Sequence, residues 1–250
     1  MRRVSLLFGL LLPALLTLGA CETLTVDSFD GPGTAHHIAS NDTLAGIEEA
    51  LEAGALDLAA RRVDRARLAG LEGAELDRLT GALLLARGEP GAAATILARV
   101  PTDGPSGEDA AALRVRALAA AGQCEAALSV LAAIPGRETS DWRLLSIRGV
   151  CAAEAGQFEA AKAAHKASLA VIEDSGGDRA LVLTNLGYAS LLSGDRAAAR
   201  AAFAEAQTAL EAAERGPRDP VAQKLAGNRE LLAALEAATE PNVPLQGADS

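Results

Sequence analysis

Apolar and small residues recur at helical spacing in two blocks across residues 183–207. Leu183, Leu186 and Gly187 mark one face of a first helix, and Ala199, Phe203 and Ala206 mark one face of a second. Ser193-Gly194-Asp195 reads as the turn between them. The same hairpin recurs upstream. Glycines stand at 54, 88, 122, 156 and 194, at intervals of 34, 34, 34 and 38 residues. Five positions after each stands alanine (59, 93, 127, 161, 199). Seven positions before them stand Ile47, Gly81, Val115, Gly149 and Gly187, and nine after them Val63, Leu97, Leu131, His165 and Phe203. Five units in register predict five stacked helical hairpins.

The block Leu183-x2-Leu186-Gly187-x2-Ser190, followed by Ala199-x3-Phe203, resembles the tetratricopeptide repeat, with the non-aromatic Leu183 and Ser190 at its Trp and Tyr positions. The resemblance covers about residues 41–214. It implies an all-α, right-handed solenoid of about five helical hairpins, with a C-terminal capping helix over residues 215–240. Asp219 would cap that helix and Pro220 open its first turn. Residues 241–250 read as a disordered tail.

Within the solenoid, Asn41 or Asp42 is expected to cap the first helix, and Ser140 or Asp141 the first helix of repeat four. Val100-Pro101 and Ile134-Pro135 read as helix stops. Arg61, Arg62, Arg65 and Arg67 read as a solvated face paired with Asp57, Asp64 and Glu72. His165 takes the slot that Phe203 fills in the fifth repeat, which is a packing role.

Composition narrows the class. Half of the 250 residues are apolar and only 2% aromatic, which suits close-packed helices and not an alternating β-sandwich. The formal charge of -10 excludes the basic footprint that nucleic acid requires.

The N-terminus reads as a targeting segment over residues 1–20. Arg2 and Arg3 precede an apolar run that Pro13 interrupts, too short for a good membrane span. Leu18-Gly19-Ala20-Cys21 resembles the bacterial lipobox, which implies acylation of Cys21 and anchoring to a membrane. Glu22, rather than aspartate, follows the cysteine and points to the periplasmic face of the outer membrane. Residues 21–40 read as a flexible tether.

Chemistry is sparse. There is no HExxH, no G-x-S-x-G, no phosphate-binding glycine loop and no C-x-x-C. An enzyme is not expected, and neither is a cofactor. His36 and His37 lie near Asp27 and Asp30, but adjacent histidines in a polar segment read as solvated rather than as metal ligands. A metal-binding or enzymatic protein using His36, His37 and His165 is the reading from a different class.

Cys124 and Cys151 lie 27 residues apart, on helices that the resemblance makes antiparallel neighbours. An exported chain would form a disulfide there. The alternative is two small buried thiols.

The resemblance also implies a concave surface lined by the first helix of each repeat. Its groove positions project onto Arg78, Arg116, Arg143, Ser146, Thr184, Asn185 and Tyr188, a basic strip suited to a carboxylate-bearing partner. An acylated cysteine, a tether and such repeats resemble the tight-adherence (Flp/Tad) pilus assembly lipoproteins and the type IV pilus pilotins. That resemblance implies an envelope protein as partner, such as an outer-membrane secretin or another pilus component. The alternative is a lipoprotein adaptor for peptidoglycan enzymes.

Overall fold

The computed structural model describes residues 32–175 and 177–238, with the side chains of 32–40, 105 and 173–175 left aside. The expected targeting segment 1–20, the expected lipidation site Cys21, residues 22–31 and the expected tail 241–250 lie outside the described residues. The chain divides into two units, residues 1–39 and 40–250. Of the first, only the helical backbone of 32–39 is described, which includes His36 and His37 but not their side chains.

Every described element is a helix. The five hairpins are α1 (Pro32–Glu52) with α2 (Leu56–Leu68), α3 (Ala74–Ala86) with α4 (Pro90–Leu97), α5 (Pro105–Ala120) with α6 (Cys124–Leu131), α8 (Trp142–Glu154) with α9 (Phe158–Ser175), and α10 (Arg179–Leu192) with α11 (Arg196–Ala212). A one-turn helix α7 (Pro135–Glu138) separates the third and fourth hairpins, and α12 (Pro220–Ala237) closes the series.

The register glycines make the turns. Gly54, Gly88, Gly122, Gly156 and Gly194 all have φ between 66° and 82°, the left-handed region that costs a side chain most. At each one the chain closes a Schellman motif. At the last, Gly194 N–H donates to Leu191 O at 3.0 Å and Asp195 N–H to Ser190 O at 2.9 Å. The alanines five positions on, Ala59, Ala93, Ala127, Ala161 and Ala199, are all fully buried, so the second helix enters its hairpin at close range.

The seven-before and nine-after positions meet. A side chain on Gly81 would strike Leu97, one on Gly149 would strike His165, and one on Gly187 would strike Phe203. Where the seven-before residue is larger, the nine-after residue is aliphatic: Ile47 and Val63, and Val115 and Leu131, are all buried.

The caps follow composition. Asp141, Asp178, Asp195 and Asp219 each accept a backbone N–H at the start of α8, α10, α11 and α12. Asp219 accepts from Val221 at 2.8 Å and from Ala222 at 3.2 Å, and Pro220 opens α12 as anticipated. Arg215 ties two of these caps together. Its guanidinium donates to Asp178 at 2.8 Å and to Asp219 at 2.8 Å, joining the entry of α10 to the entry of α12.

Four local expectations change. The first helix begins at Pro32, so the last part of the expected tether is helical, and Asn41 and Asp42 lie inside α1 rather than capping it. Proline at the first helical position supplies the start. Val100-Pro101 and Ile134-Pro135 are not the stops: α4 ends at Leu97 and α6 at Leu131. Val100 and Ile134 instead fold back into the core, and Pro135 opens α7. The arginines of α2 pair elsewhere than expected. Arg62 donates to Gly46 O, Arg67 to Thr80 Oγ1, and Asp57 pairs with Arg87.

Cys124 and Cys151 form a disulfide, with a Cα–Cα distance of 5.2 Å. It joins the first residue of α6 to the latter half of α8, stapling repeat three to repeat four across the α7 insertion.

Candidate functional site

The first helices form the inner wall. α3 packs on α5, α5 on α8, α8 on α10 and α10 on α12, while α4, α6, α9 and α11 each pack against two of these helices. A cavity of about 660 Å³ opens on this wall. Leu85 of α3, Ala119 and Ala120 of α5, Ile147 and Val150 of α8 and Leu181 of α10 supply its apolar lining. Arg116 of α5, Arg143 of α8 and Lys224 of α12 bring three cations to it, and among the described residues no acidic one lines it.

Two of the three cations, Arg143 and Lys224, are held in place by their surroundings. Trp142 is 7% exposed, and its carbonyl accepts from Ser168 Oγ at 2.7 Å, which fixes the start of α8. The Arg143 guanidinium lies 4.6 Å from the centre of the Trp142 ring, a cation–π contact. Lys224 Nζ donates to Asn185 Oδ1 at 2.8 Å, and Asn185 Nδ2 donates to Ser146 Oγ at 3.5 Å. That polar row crosses α12, α10 and α8.

The electrostatics favour an incoming anion. Burial lowers the Arg116 pKa, and repulsion from Arg143 lowers it further, against a smaller opposing pull from Asp141. Burial also lowers that of Lys224. Among the described residues the Arg116 and Arg143 guanidiniums and the Lys224 ammonium form no ion pair with a carboxylate. A carboxylate entering the cavity would offset both the desolvation and the mutual repulsion of these groups.

Of the seven projected groove positions, Arg116, Arg143, Ser146 and Asn185 line the cavity. Arg78 does not. It is claimed by its own helix and its neighbour, donating to Glu75 at 3.0 Å and to Glu48 at 2.9 Å, and these bonds hold its pKa above the usual arginine value. Thr184 is fully buried and donates to Ala180 O at 2.8 Å, so it faces the core. Tyr188 is exposed further along α10, outside the cavity wall.

Lys224 and Trp142 were missed by the projection. Lys224 lies beyond the repeats, and it becomes legible only if α12 is read as one more first helix. His165 is 1% exposed and packed on Gly149, which leaves no open approach for a metal or substrate.

No protein-family description and no curated protein sequence matches the chain. Solved structures do. MamA MSR-1 superposes with a TM-score of 0.55 at 17% identity, over 71% of this chain and 98% of that one. MamA AMB-1 gives 0.54 at 15% identity, over 68% of this chain and 98% of that one. MamA is a TPR-like helical protein, and likeness at this identity speaks to architecture alone. The chain is therefore a tetratricopeptide-type solenoid of helical hairpins, closed by one further helix.

Proposed function

We propose that this protein is a lipid-anchored scaffold of the bacterial envelope that holds a carboxylate-bearing segment of a partner protein in its concave groove. The observation that carries the reading is the cavity where Arg116, Arg143 and Lys224 converge over an apolar floor without an acidic neighbour in its wall. A solenoid of helical hairpins is a surface for proteins, and stacked first helices accept an extended or helical segment.

The lipobox-like Leu18-Gly19-Ala20-Cys21 supports the anchor, and Glu22 supports the outer membrane. The Cys124–Cys151 bond accords with an oxidising compartment such as the periplasm. The likeness of the whole arrangement to tight-adherence pilus lipoproteins and pilotins makes a secretin or another pilus component the partner we favour.

The test is a pull-down from detergent-solubilised envelopes with the wild-type chain and an Arg116→Glu/Arg143→Glu variant. Recovery of a secretin or pilus component with the wild type alone is the expected result. Equal recovery with both proteins would remove the groove from the proposal. Recovery of a peptidoglycan hydrolase in its place would replace the pilus role with that of a cell-wall adaptor.

A further inference from the structure

Six large hydrophobic side chains among the described residues are at least 36% exposed, and four of them share one region. Tyr188 at 36% and Leu192 at 39% stand one turn apart on α10, and Leu231 at 42% and Leu235 at 37% stand one turn apart on α12. On α10, Leu192 follows Asn185 by seven positions; on α12, Leu231 follows Lys224 by seven. Two turns bring a side chain back to nearly the same direction. Asn185 and Lys224 touch each other in the cavity wall, so the two apolar pairs face the same concave side. Gly227 lies between Lys224 and Leu231 on α12, and a side chain there would meet nothing within 4 Å.

We infer that this apolar strip and the cationic cavity are one continuous docking surface, whose occupant is a partner helix with carboxylates at one end and an apolar pair about two turns further on. The inference rests on the groove reading above and adds the partner's form and direction. Charge complementarity selects the acidic end: Lys224 and Arg143 sit near the starts of α12 and α8, where the partner's carboxylates would lie. The apolar end runs toward the close of α10 and α12. Seven residues of α-helix span about 10 Å, which sets the spacing the partner must match. Two parallel helices with apolar residues at i and i+4 form a trough that accepts the apolar row of a third helix. On this account α12 is part of the binding site, since it supplies Lys224, Leu231 and Leu235.

The test uses the full lipidated chain in nanodiscs and two fluorescent, alanine-rich helical peptides of about 16 residues. One carries a glutamate cluster followed two turns later by leucines at i and i+4; in the other both leucines are alanine. The leucine peptide is expected to bind about tenfold more tightly than its alanine twin. A Leu231→Ser/Leu235→Ser variant should erase that difference, and Arg116→Glu/Arg143→Glu should weaken both peptides. Circular dichroism checks that each variant keeps its helices. Equal binding of the two peptides to the wild type would overturn the apolar strip and leave the groove reading standing. Binding indifferent to the arginine changes, or no binding of either peptide, would overturn both. Self-association abolished by Leu231→Ser/Leu235→Ser would give the strip to a second copy of this chain and overturn the partner helix.

Discussion

Gly149 of α8 and His165 of α9 pack so closely that a Cβ on the glycine would lie 2.5 Å from His165 Cε1 and 2.7 Å from Nδ1. The pair is the fourth-repeat version of Gly187 against Phe203, with an imidazole in the aromatic slot.

That contact makes Gly149→Ala destabilising. Alanine is the better helix former, but overpacking against a ring that cannot slide away costs about 1–3 kcal/mol and wins over the roughly 1 kcal/mol of propensity. Gly91 is the control. It lies in α4, and a Cβ there meets nothing within 4 Å. Gly91→Ala should therefore stabilise by up to about 1 kcal/mol. Urea unfolding of the two variants should give opposite signs, and a stable Gly149→Ala protein would contradict the packing described.

His165 should make stability depend on mildly acidic pH. Burial, with a smaller contribution from Lys224, pushes its pKa down from 6.5 to about 4, and Nδ1 finds no hydrogen-bond partner among the described residues. The neutral ring is the folded form. As pH falls below 6.5 the unfolded chain takes up a proton that the folded chain refuses until about pH 4. Stability from this group is thus complete above 6.5, falls between 6.5 and 4, and levels off below, with a total loss of at most about 3 kcal/mol. His165→Phe should remove this component and stabilise the chain at pH 5 relative to wild type. Thermal melts from pH 4 to pH 8 read both effects, and parallel curves for the two proteins would remove His165 as the source.

The disulfide closes a loop between residues 27 apart, which in the chain-entropy model is worth about 3–4 kcal/mol. A Cys124→Ala/Cys151→Ala variant should melt several degrees lower. Denatured, unreduced wild-type protein should show no reactive thiol at these two positions. Two titratable thiols there would refute the bond.

Arg215→Ala should loosen the end of the solenoid without unfolding it. Arg215 is the cation shared by the Asp178 and Asp219 caps, and its own pKa is raised by Asp219 first and Asp178 second. The site is open to water, so the expected effect is local. Backbone amides at the start of α12 should exchange faster with deuterium, while those in α5 and α6 stay unchanged. Uniform acceleration across the chain would show a global role instead.

Much of the fold was legible because its demands are local. A turn glycine with positive φ, an aspartate ahead of a helix and a small residue opposite a large one each act through one or two residues. Gly156, Asp219 and the Gly187–Phe203 pair were therefore readable from spacing. The false stops at Pro101 and Pro135 mark the limit. Proline forbids helix through itself, but Val100 and Ile134 had already left the helix to enter the core.

The groove was legible only in part. Arg116 stands six residues before its turn glycine and Arg143 thirteen before its own, so no repeat register pairs them. Stacking of α8 on α5 brings both to one cavity. Arg78 was lost to Glu48, thirty residues away, and Thr184 was turned into the core. The amino-acid order by itself determined the repeat, its turns and the partners within each hairpin, because those follow from backbone conformation and close approach at fixed separation. Only the tertiary structure decided which cations share the cavity and that α12 completes it, because the angle between stacked hairpins and the competition for each charge are sums over many distant contacts.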